Sequence, residues 1–211
     1  GLTVTPASLQ DNELESNGFE FAGGDPFEPT GKEIRLDAKA YAGIGDVLFS
    51  LRETSASISL RANRANSREY LRHVLRSYGL SRDEITQLVD RLRDYVDRDS
   101  EPSINGMEAA GYKAAGYQRP TNRFLSSPTQ LKNVPGWSDA LGDNFEHFLD
   151  LVTIDAGNRP NFNTAHPEAM IVYGLNTDAV QKVVGYREQG VFKTLADVNK
   201  VTGHLVPIDP L

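Results

Sequence analysis

The strongest constraint on the fold is a phrase that the sequence contains twice. "SYGLSRDE" runs from Ser77 to Glu84, and "VYGLNTDA" runs from Val172 to Ala179. Both copies hold Tyr-Gly-Leu and an Asp four residues after the glycine. Glycine adopts the left-handed backbone conformation that ends a helix at little cost. Each copy therefore predicts a short helix, a glycine turn and a second short helix.

Helical periodicity surrounds the first copy. Ser81 and Glu84 match a capping box, in which the two side chains satisfy free backbone N–H groups at a helix start. Because apolar residues recur at helical spacing on both sides of Gly79, residues 67–96 are predicted to form two helices. These apolar residues are Tyr70, Leu71, Val74, Leu75, Tyr78, Ile85, Leu88, Val89, Leu92 and Val96.

The same plan recurs further along the chain. Pro167 suits the first turn of a helix, and Asn176 can cap the next one. A weaker unit lies between the copies, with a capping-box pattern at Ser127–Gln130 and Trp137 as a core or turn aromatic. A last capped segment begins at Thr194. Since one helix pair cannot bury its apolar face alone, the pairs are expected to pack on one another.

Strand patterns are confined to residues 34–62, where Val47–Glu53 and Ser55–Leu60 are predicted to pair as a hairpin around Glu53 and Thr54. Residues 1–33 are rich in Gly, Pro, Asn and Asp and predict irregular structure. The predicted fold class is α+β, with a small β-sheet portion and a large α-helical domain of helix-hairpin-helix-like repeats. The predicted domains are 1–62, 63–125 and 126–211.

Composition restricts the function. The formal net charge is -7 at pH 7, which disfavours duplex nucleic acid and favours a cation. The chain has no cysteine, which excludes disulfides, thiolate metal sites and cysteine nucleophiles. A membrane-spanning helix needs an apolar run of about 18 residues, and the sequence contains no such run.

Helix-hairpin-helix modules bind DNA phosphates through the backbone N–H groups of their glycine turn. Here Ser81 and Asn176 stand where a second glycine is usual, and Asp83 and Asp178 would repel a phosphate. We therefore expect no nucleic-acid partner, and DNA binding by the hairpins stays as the alternative function.

The segment Asp94–Glu108, "DYVDRDSEPSINGME", carries the densest chemistry. Counted from Asp97 as position 1, side chains with oxygen fall at positions 3, 5, 7, 9 and 12. Calcium needs six to eight oxygen ligands from a tightly wrapped segment, so this spacing predicts a calcium site. The loop departs from an EF-hand at Pro102 and Gly106, and a solvated acidic loop is the competing interpretation. The candidate ligands are Asp97, Asp99, Glu101, Asn105 and Glu108, with Ser103 between them.

Catalytic motifs are missing from the sequence. The four histidines, His73, His147, His166 and His204, form neither HExxH nor HxH, and no Gly-x-Ser-x-Gly or phosphate loop occurs. The prediction is that the protein is not an enzyme.

Several stretches together resemble a known family. "LRDYVDRDSEPSINGMEAAGY" is similar to the acidic signature of type II secretion system minor pseudopilins of the K type. "NRANSREYLRHVLRSYGLSRDEITQLVDRLRDY" resembles the family's first SAM-like unit, and "NFNTAHPEAMIVYGLNTDAVQKVVGYREQGVFKTLADV" resembles its second. "YQRPTNRFLSSPTQLKNVPGW" resembles the linker and the helices that follow it. The resemblance extends from about Ile58 to Val201.

The resemblance implies a pilin-like sheet with a large helical insertion, on the periplasmic side of the bacterial inner membrane. It implies an N-terminal membrane anchor, which this sequence does not include, and a position at the pseudopilus tip with the I- and J-type minor pseudopilins. It further implies a role in pseudopilus assembly and protein export, with contacts to exported substrates or the outer-membrane secretin. The family continues into further strands after the point where this sequence ends, "GHLVPIDPL".

The resemblance also implies calcium in the helical domain. By position in the motif it gives Asp97, Asp99 and Glu108 as ligands, and Asp94, Glu101 and Asn105 as further candidates. Calcium would then stabilise the folded form and have no catalytic part. A free-standing calcium-binding interaction module is the second alternative function.

Overall fold

A computed structural model describes residues 34–61, 65–154 and 160–206. The predicted irregular segment 1–33 lies outside these residues. The helices are α1 (Ala65–Ser77), α2 (Arg82–Val96), α3 (Ala109–Ala114), α4 (Trp137–Leu141), α5 (Phe145–Leu151), α6 (Pro167–Val172), α7 (Thr177–Arg187) and α8 (Leu195–Thr202). The strands are β1 (Asp37–Ala42), β2 (Leu48–Arg52), β3 (Ile58–Ser59) and β4 (Val152–Thr153). Among the described helices, none is both long and apolar enough to cross a membrane.

The strands form two small sheets, which together with the helices give the predicted α+β class. β1 and β2 pair antiparallel, with Tyr41 opposite Phe49, and β3 pairs parallel to β4, with Ile58 opposite Val152. The predicted hairpin between Val47–Glu53 and Ser55–Leu60 is therefore wrong, because each of these segments has another partner.

Burial explains the different pairing. Four of the five β2 residues are exposed, whereas Ile58 is fully buried in the helical core. A 3-10 turn at Thr54–Ala56 separates the two segments. Beside this turn, the Glu53 carboxylate accepts hydrogen bonds from Asn161 Nδ2 at 2.7 Å and Thr164 Oγ1 at 2.6 Å. The chain thus leaves the exposed sheet at Glu53 and enters the core as a separate strand.

The two predicted glycine hairpins are confirmed. Gly79 joins α1 to α2 with φ 82°, and Gly174 joins α6 to α7 with φ 95°. The Ser81 hydroxyl accepts from the Glu84 N–H in a complete capping box. Asn176 caps α7 by accepting from the Ala179 N–H at 2.8 Å.

The two hairpins touch through aromatic side chains. The rings of Tyr70 on α1 and Tyr173 at the end of α6 meet edge to face, with centroids 4.9 Å apart. The Tyr173 hydroxyl also donates to the Ser57 carbonyl at 3.2 Å, which ties the second hairpin to the segment before β3.

The buried apolar residues form two clusters. The larger cluster joins β3, α1 to α5 and β4, and includes Ala169, Val172 and Tyr173 from the second hairpin. The smaller cluster is formed by α6, α7, α8 and the loops beside them. The larger cluster contains residues from all three predicted domains, 1–62, 63–125 and 126–211. The domain boundaries at 62 and 125 stay a prediction.

The segment between the hairpins differs in part from its prediction. Residues Pro128–Asn133 form a 3-10 helix, and the Gln130 side chain accepts from the Ser126 N–H, so Ser127–Gln130 is not a capping box. Trp137 is fully buried and donates from Nε1 to the Leu88 carbonyl at 3.1 Å, as expected for a core aromatic. The capped segment at Thr194 is confirmed by a complete capping box with Asp197.

Candidate metal centre

The acidic stretch begins where α2 ends. Asp97 is the C-cap of this helix, in an extended conformation, and its N–H donates to the Arg93 carbonyl at 3.0 Å. The chain then forms a loop and returns at Glu108, which is the N-cap of α3. One helix end and the next helix start therefore bring two distant carboxylates together.

Three predicted ligands converge. Asp97, Asp99 and Glu108 each offer a carboxylate oxygen, and these atoms lie within 4.8 Å of one another. We call these residues the carboxylate cluster. Asp97 Oδ1 and Glu108 Oε1 are buried and have no hydrogen-bond partner among the described residues. A buried acceptor without a partner is costly, so both atoms are suited to a ligand that donates or coordinates.

The electrostatics of the cluster also favour a cation. Burial raises the pKa of Asp97, as do the charges of Asp99 and Asp94, while Arg93 lowers it. Burial likewise raises the pKa of Glu108, and the charges of Asp94, Asp97 and Asp99 add to this. A cation among these groups would reverse the effect by stabilising their ionised forms.

Asp94 lies on α2, three residues before Asp97, and is fully buried. Its carboxylate accepts from the Ser103 N–H at 3.0 Å and from the Ser103 hydroxyl at 2.6 Å. Gly106 packs directly against it, because a β-carbon at Gly106 would fall 1.8 Å from Asp94 Oδ2. Asp94 thus ties the acidic loop to α2.

Two other predicted ligands are not brought into the carboxylate cluster. Glu101 is exposed, and its backbone N–H donates to Asp99 Oδ1 at 3.0 Å. The Asn105 side chain donates from Nδ2 to Asp90 Oδ2 at 3.2 Å, and so points to α2. Asp90 was missed by the sequence analysis, although its place one helical turn before Asp94 could have identified it.

The residues present fit a hard cation such as calcium. The cluster supplies carboxylate oxygens, which calcium prefers, and two of these oxygens lack any other partner among the described residues. The histidines lie elsewhere: His147 Nε2 is 2.9 Å from Glu168 Oε1, and His166 caps α6. Within the described residues, no histidine joins a group with metal-ligand geometry.

Comparison with known proteins identifies the family. The family model of type II secretion system (T2SS) protein K matches residues 48–153, which is half of the chain and contains the whole acidic stretch. The chain belongs to the T2SS protein K family. This confirms the resemblance found in the sequence.

A curated relative and a solved structure agree with this assignment. Type II secretion system protein K from Dickeya chrysanthemi is 26% identical over 117 residues, which cover 53% of this chain and 32% of that protein. This chain thus spans about a third of the curated relative. A chain of the GspK-GspI-GspJ complex from the enterotoxigenic Escherichia coli type 2 secretion system shares the fold, with a TM-score of 0.59 and 14% identity. That match covers 81% of this chain and 66% of the solved one.

Proposed function

We propose that this T2SS protein K family member is a non-enzymatic minor pseudopilin, which acts at the pseudopilus tip and assists pseudopilus assembly and protein export. The observation that carries the proposal is the family match over residues 48–153. The structure adds a helical body that two apolar clusters stabilise. Such a body at the tip would obstruct the addition of further subunits on its far side.

The proposed partners are the I- and J-type minor pseudopilins. The support is the fold likeness to a chain of a solved GspK-GspI-GspJ complex. The proposed place is the periplasmic side of the inner membrane, with anchorage by an N-terminal helix. Exported substrates or the outer-membrane secretin are further proposed contacts.

The two parts of the fold correspond, in this proposed function, to a pilin-like part and a helical part. β1 and β2 would belong to a pilin-like sheet, and the hairpins α1–α2 and α6–α7 would be two SAM-like units. Support comes from the left-handed glycine in each hairpin and from the matching polar caps at Ser81 and Asn176.

Calcium is the proposed cofactor, held by Asp97, Asp99 and Glu108. When bound it would neutralise the carboxylate cluster and fix the loop between α2 and α3. Because calcium would bind the folded form far better than the unfolded chain, it would stabilise the fold by linkage. Asp94 would keep the loop in position through Ser103.

Thermal unfolding in calcium, magnesium and EDTA tests the calcium site. We expect a rise of unfolding temperature specific to calcium, which is lost in Glu108→Gln. Glu101→Gln is the matched control, since Glu101 lies on the same loop but is exposed. Equal unfolding temperatures in calcium and EDTA, or equal losses in both variants, would reject the site.

Co-purification with I- and J-type pseudopilins tests the role in secretion. A stable ternary complex supports it, and the absence of any complex at micromolar concentrations would contradict it. A gel shift with duplex DNA at low salt separates the DNA-binding alternative. Calcium binding without partner binding would favour the free-standing calcium-binding module.

A further inference from the structure

A cleft lies beside the carboxylate cluster, with a volume of about 580 Å³. Arginines from α1, from α2 and from two loops converge on it, although the chain as a whole is acidic. We call it the arginine cleft, and its lining residues are Arg68, Arg93, Val96, Asp97, Arg98, Asp99, Arg123 and Phe124.

Two of these arginines are available to a ligand. Arg98 and Arg123 are exposed, and their guanidinium groups make no hydrogen bond or ion pair with any residue that the structure describes. The cleft is lined by four arginines against two carboxylates, Asp97 and Asp99, so an anionic ligand would reduce the repulsion among the guanidinium groups. The planar fork of arginine matches a carboxylate with two parallel hydrogen bonds. The arginines of the cleft therefore suit a ligand that carries carboxylates.

The cleft also has an apolar wall. Phe124 is 56% exposed, and the Arg61 guanidinium carbon lies 5.3 Å from its ring centroid. Val96, at the end of α2, contributes a second apolar surface that is nearly buried. The exposed Phe124 ring beside the arginines therefore suits a ligand that carries an apolar side chain next to a carboxylate.

We propose that the arginine cleft binds a short peptide segment of a partner protein, in which acidic residues flank an aromatic or aliphatic residue. The volume fits a few residues of an extended chain. A nucleic acid carries a phosphate at every nucleotide, and its binding needs many arginine or lysine contacts along its length, which a protein with a formal net charge of -7 and four arginines in one cleft does not supply.

A cation at the carboxylate cluster would strengthen this binding, a step that rests on the calcium site of the proposed function. Asp97 and Asp99 line the arginine cleft and oppose an incoming carboxylate. Calcium would cancel their charge, so calcium and the peptide would each raise the affinity of the other by the same factor.

Fluorescence anisotropy tests the proposal with a labelled probe peptide, Gly-Glu-Phe-Glu-Glu-Gly, and its counterpart with Gln in place of each Glu. The protein variants are Arg98→Gln with Arg123→Gln, and separately Phe124→Ala. Arg82→Gln is the matched control, because Arg82 is exposed in the first turn of α2, at the other end of that helix. Each titration is run in EDTA and in calcium, and each variant is checked for an unchanged unfolding temperature.

We expect the acidic peptide to bind at least about tenfold more tightly than its Gln counterpart, and the double arginine variant to lose about the same factor. Phe124→Ala should also weaken binding, whereas Arg82→Gln should leave it unchanged. No binding in either condition, undiminished binding to the double variant, or a preference for a DNA oligonucleotide would overturn the proposal. Equal peptide affinity in calcium and EDTA would overturn only the coupling, and calcium-dependent unfolding tests the metal site separately.

Discussion

The α-carbon of Gly106 lies so close to the buried carboxylate of Asp94 that a β-carbon at Gly106 would fall 1.8 Å from Asp94 Oδ2. This contact closes the acidic loop onto α2, together with the hydrogen bonds that the Ser103 N–H and hydroxyl donate to the Asp94 carboxylate. A side chain at position 106 must therefore displace either the loop or the carboxylate.

Gly106→Ala is expected to destabilise the metal-free protein by about 1–3 kcal/mol, as overpacking of a buried site does. Gly185→Ala is the control, because Gly185 lies inside α7 and a β-carbon there would meet nothing within 4 Å, so alanine should stabilise the protein by about 0.5–1 kcal/mol. Urea unfolding in EDTA measures both. A Gly106→Ala variant with the wild-type midpoint would show that the loop does not close on Asp94.

Asp97→Asn is expected to have opposite effects with and without calcium. In EDTA it should raise the unfolding temperature by a few degrees, because it removes a charge that burial and the charge of Asp99 disfavour. In calcium it should lower the unfolding temperature, because a ligand is lost. A change of the same sign in both conditions would contradict the ligand role of Asp97.

The advantage of Asp97→Asn in EDTA should grow with pH. The pKa of Asp97 is raised in the folded state above its ordinary value of 3.8. The fold therefore favours the protonated acid, and this contribution is present below pH 3.8 and is lost as the pH rises through the raised pKa. Unfolding temperatures of the wild type and Asp97→Asn in EDTA, measured from below pH 3.8 to neutral pH, test this pH dependence.

His166 should make stability depend on pH in the opposite direction. His166 caps α6, with Nδ1 accepting from the Glu168 N–H at 3.3 Å, and burial together with the charge of Arg52 lowers the pKa of His166 below 6.5. Protonation removes the acceptor, so the stability that neutral His166 contributes is complete above pH 6.5 and is lost as the pH falls through the lowered pKa.

His166→Asn keeps a capping acceptor that does not titrate, and should therefore lose less stability than the wild type between neutral pH and the lowered pKa of His166. His73→Asn serves as the control, since His73 is exposed on α1. Parallel losses in wild type and His166→Asn would exclude His166 as the source of the pH dependence.

Gly79→Ala is expected to destabilise the first hairpin by about 1–2 kcal/mol, the cost of a left-handed conformation for an L-residue. The φ of Gly79 is 82°, and a β-carbon at this position would meet nothing within 4 Å, so the cost is one of backbone strain and not of contact. Gly79→Asn should cost less, because asparagine tolerates this conformation better. Equal denaturation midpoints for the alanine and asparagine variants would contradict a purely conformational cause.

Local sequence signals determined the helical part of this protein. The glycine turns at Gly79 and Gly174, the caps at Ser81, Asn176 and Thr194, and the apolar spacing around them predicted helices that the structure contains. These signals suffice because caps and left-handed turns depend on neighbouring residues in the chain. The spacing of the acidic stretch likewise included Asp97, Asp99 and Glu108, which the structure groups, but it also included Glu101 and Asn105, which lie outside the carboxylate cluster.

Contacts between distant residues were decided only by the tertiary structure. The sequence could not show that β3 pairs with β4, some 94 positions later (Ile58 opposite Val152), because strand partners are chosen by burial in the shared core. Nor could it show that Asn105 turns to Asp90, that buried Asp94 accepts from Ser103, or that Arg98 and Arg123 line one cleft. Spacing along the chain selects residue types for a site, but the packing of α1, α2 and the loops that follow α2 sets which side chains meet.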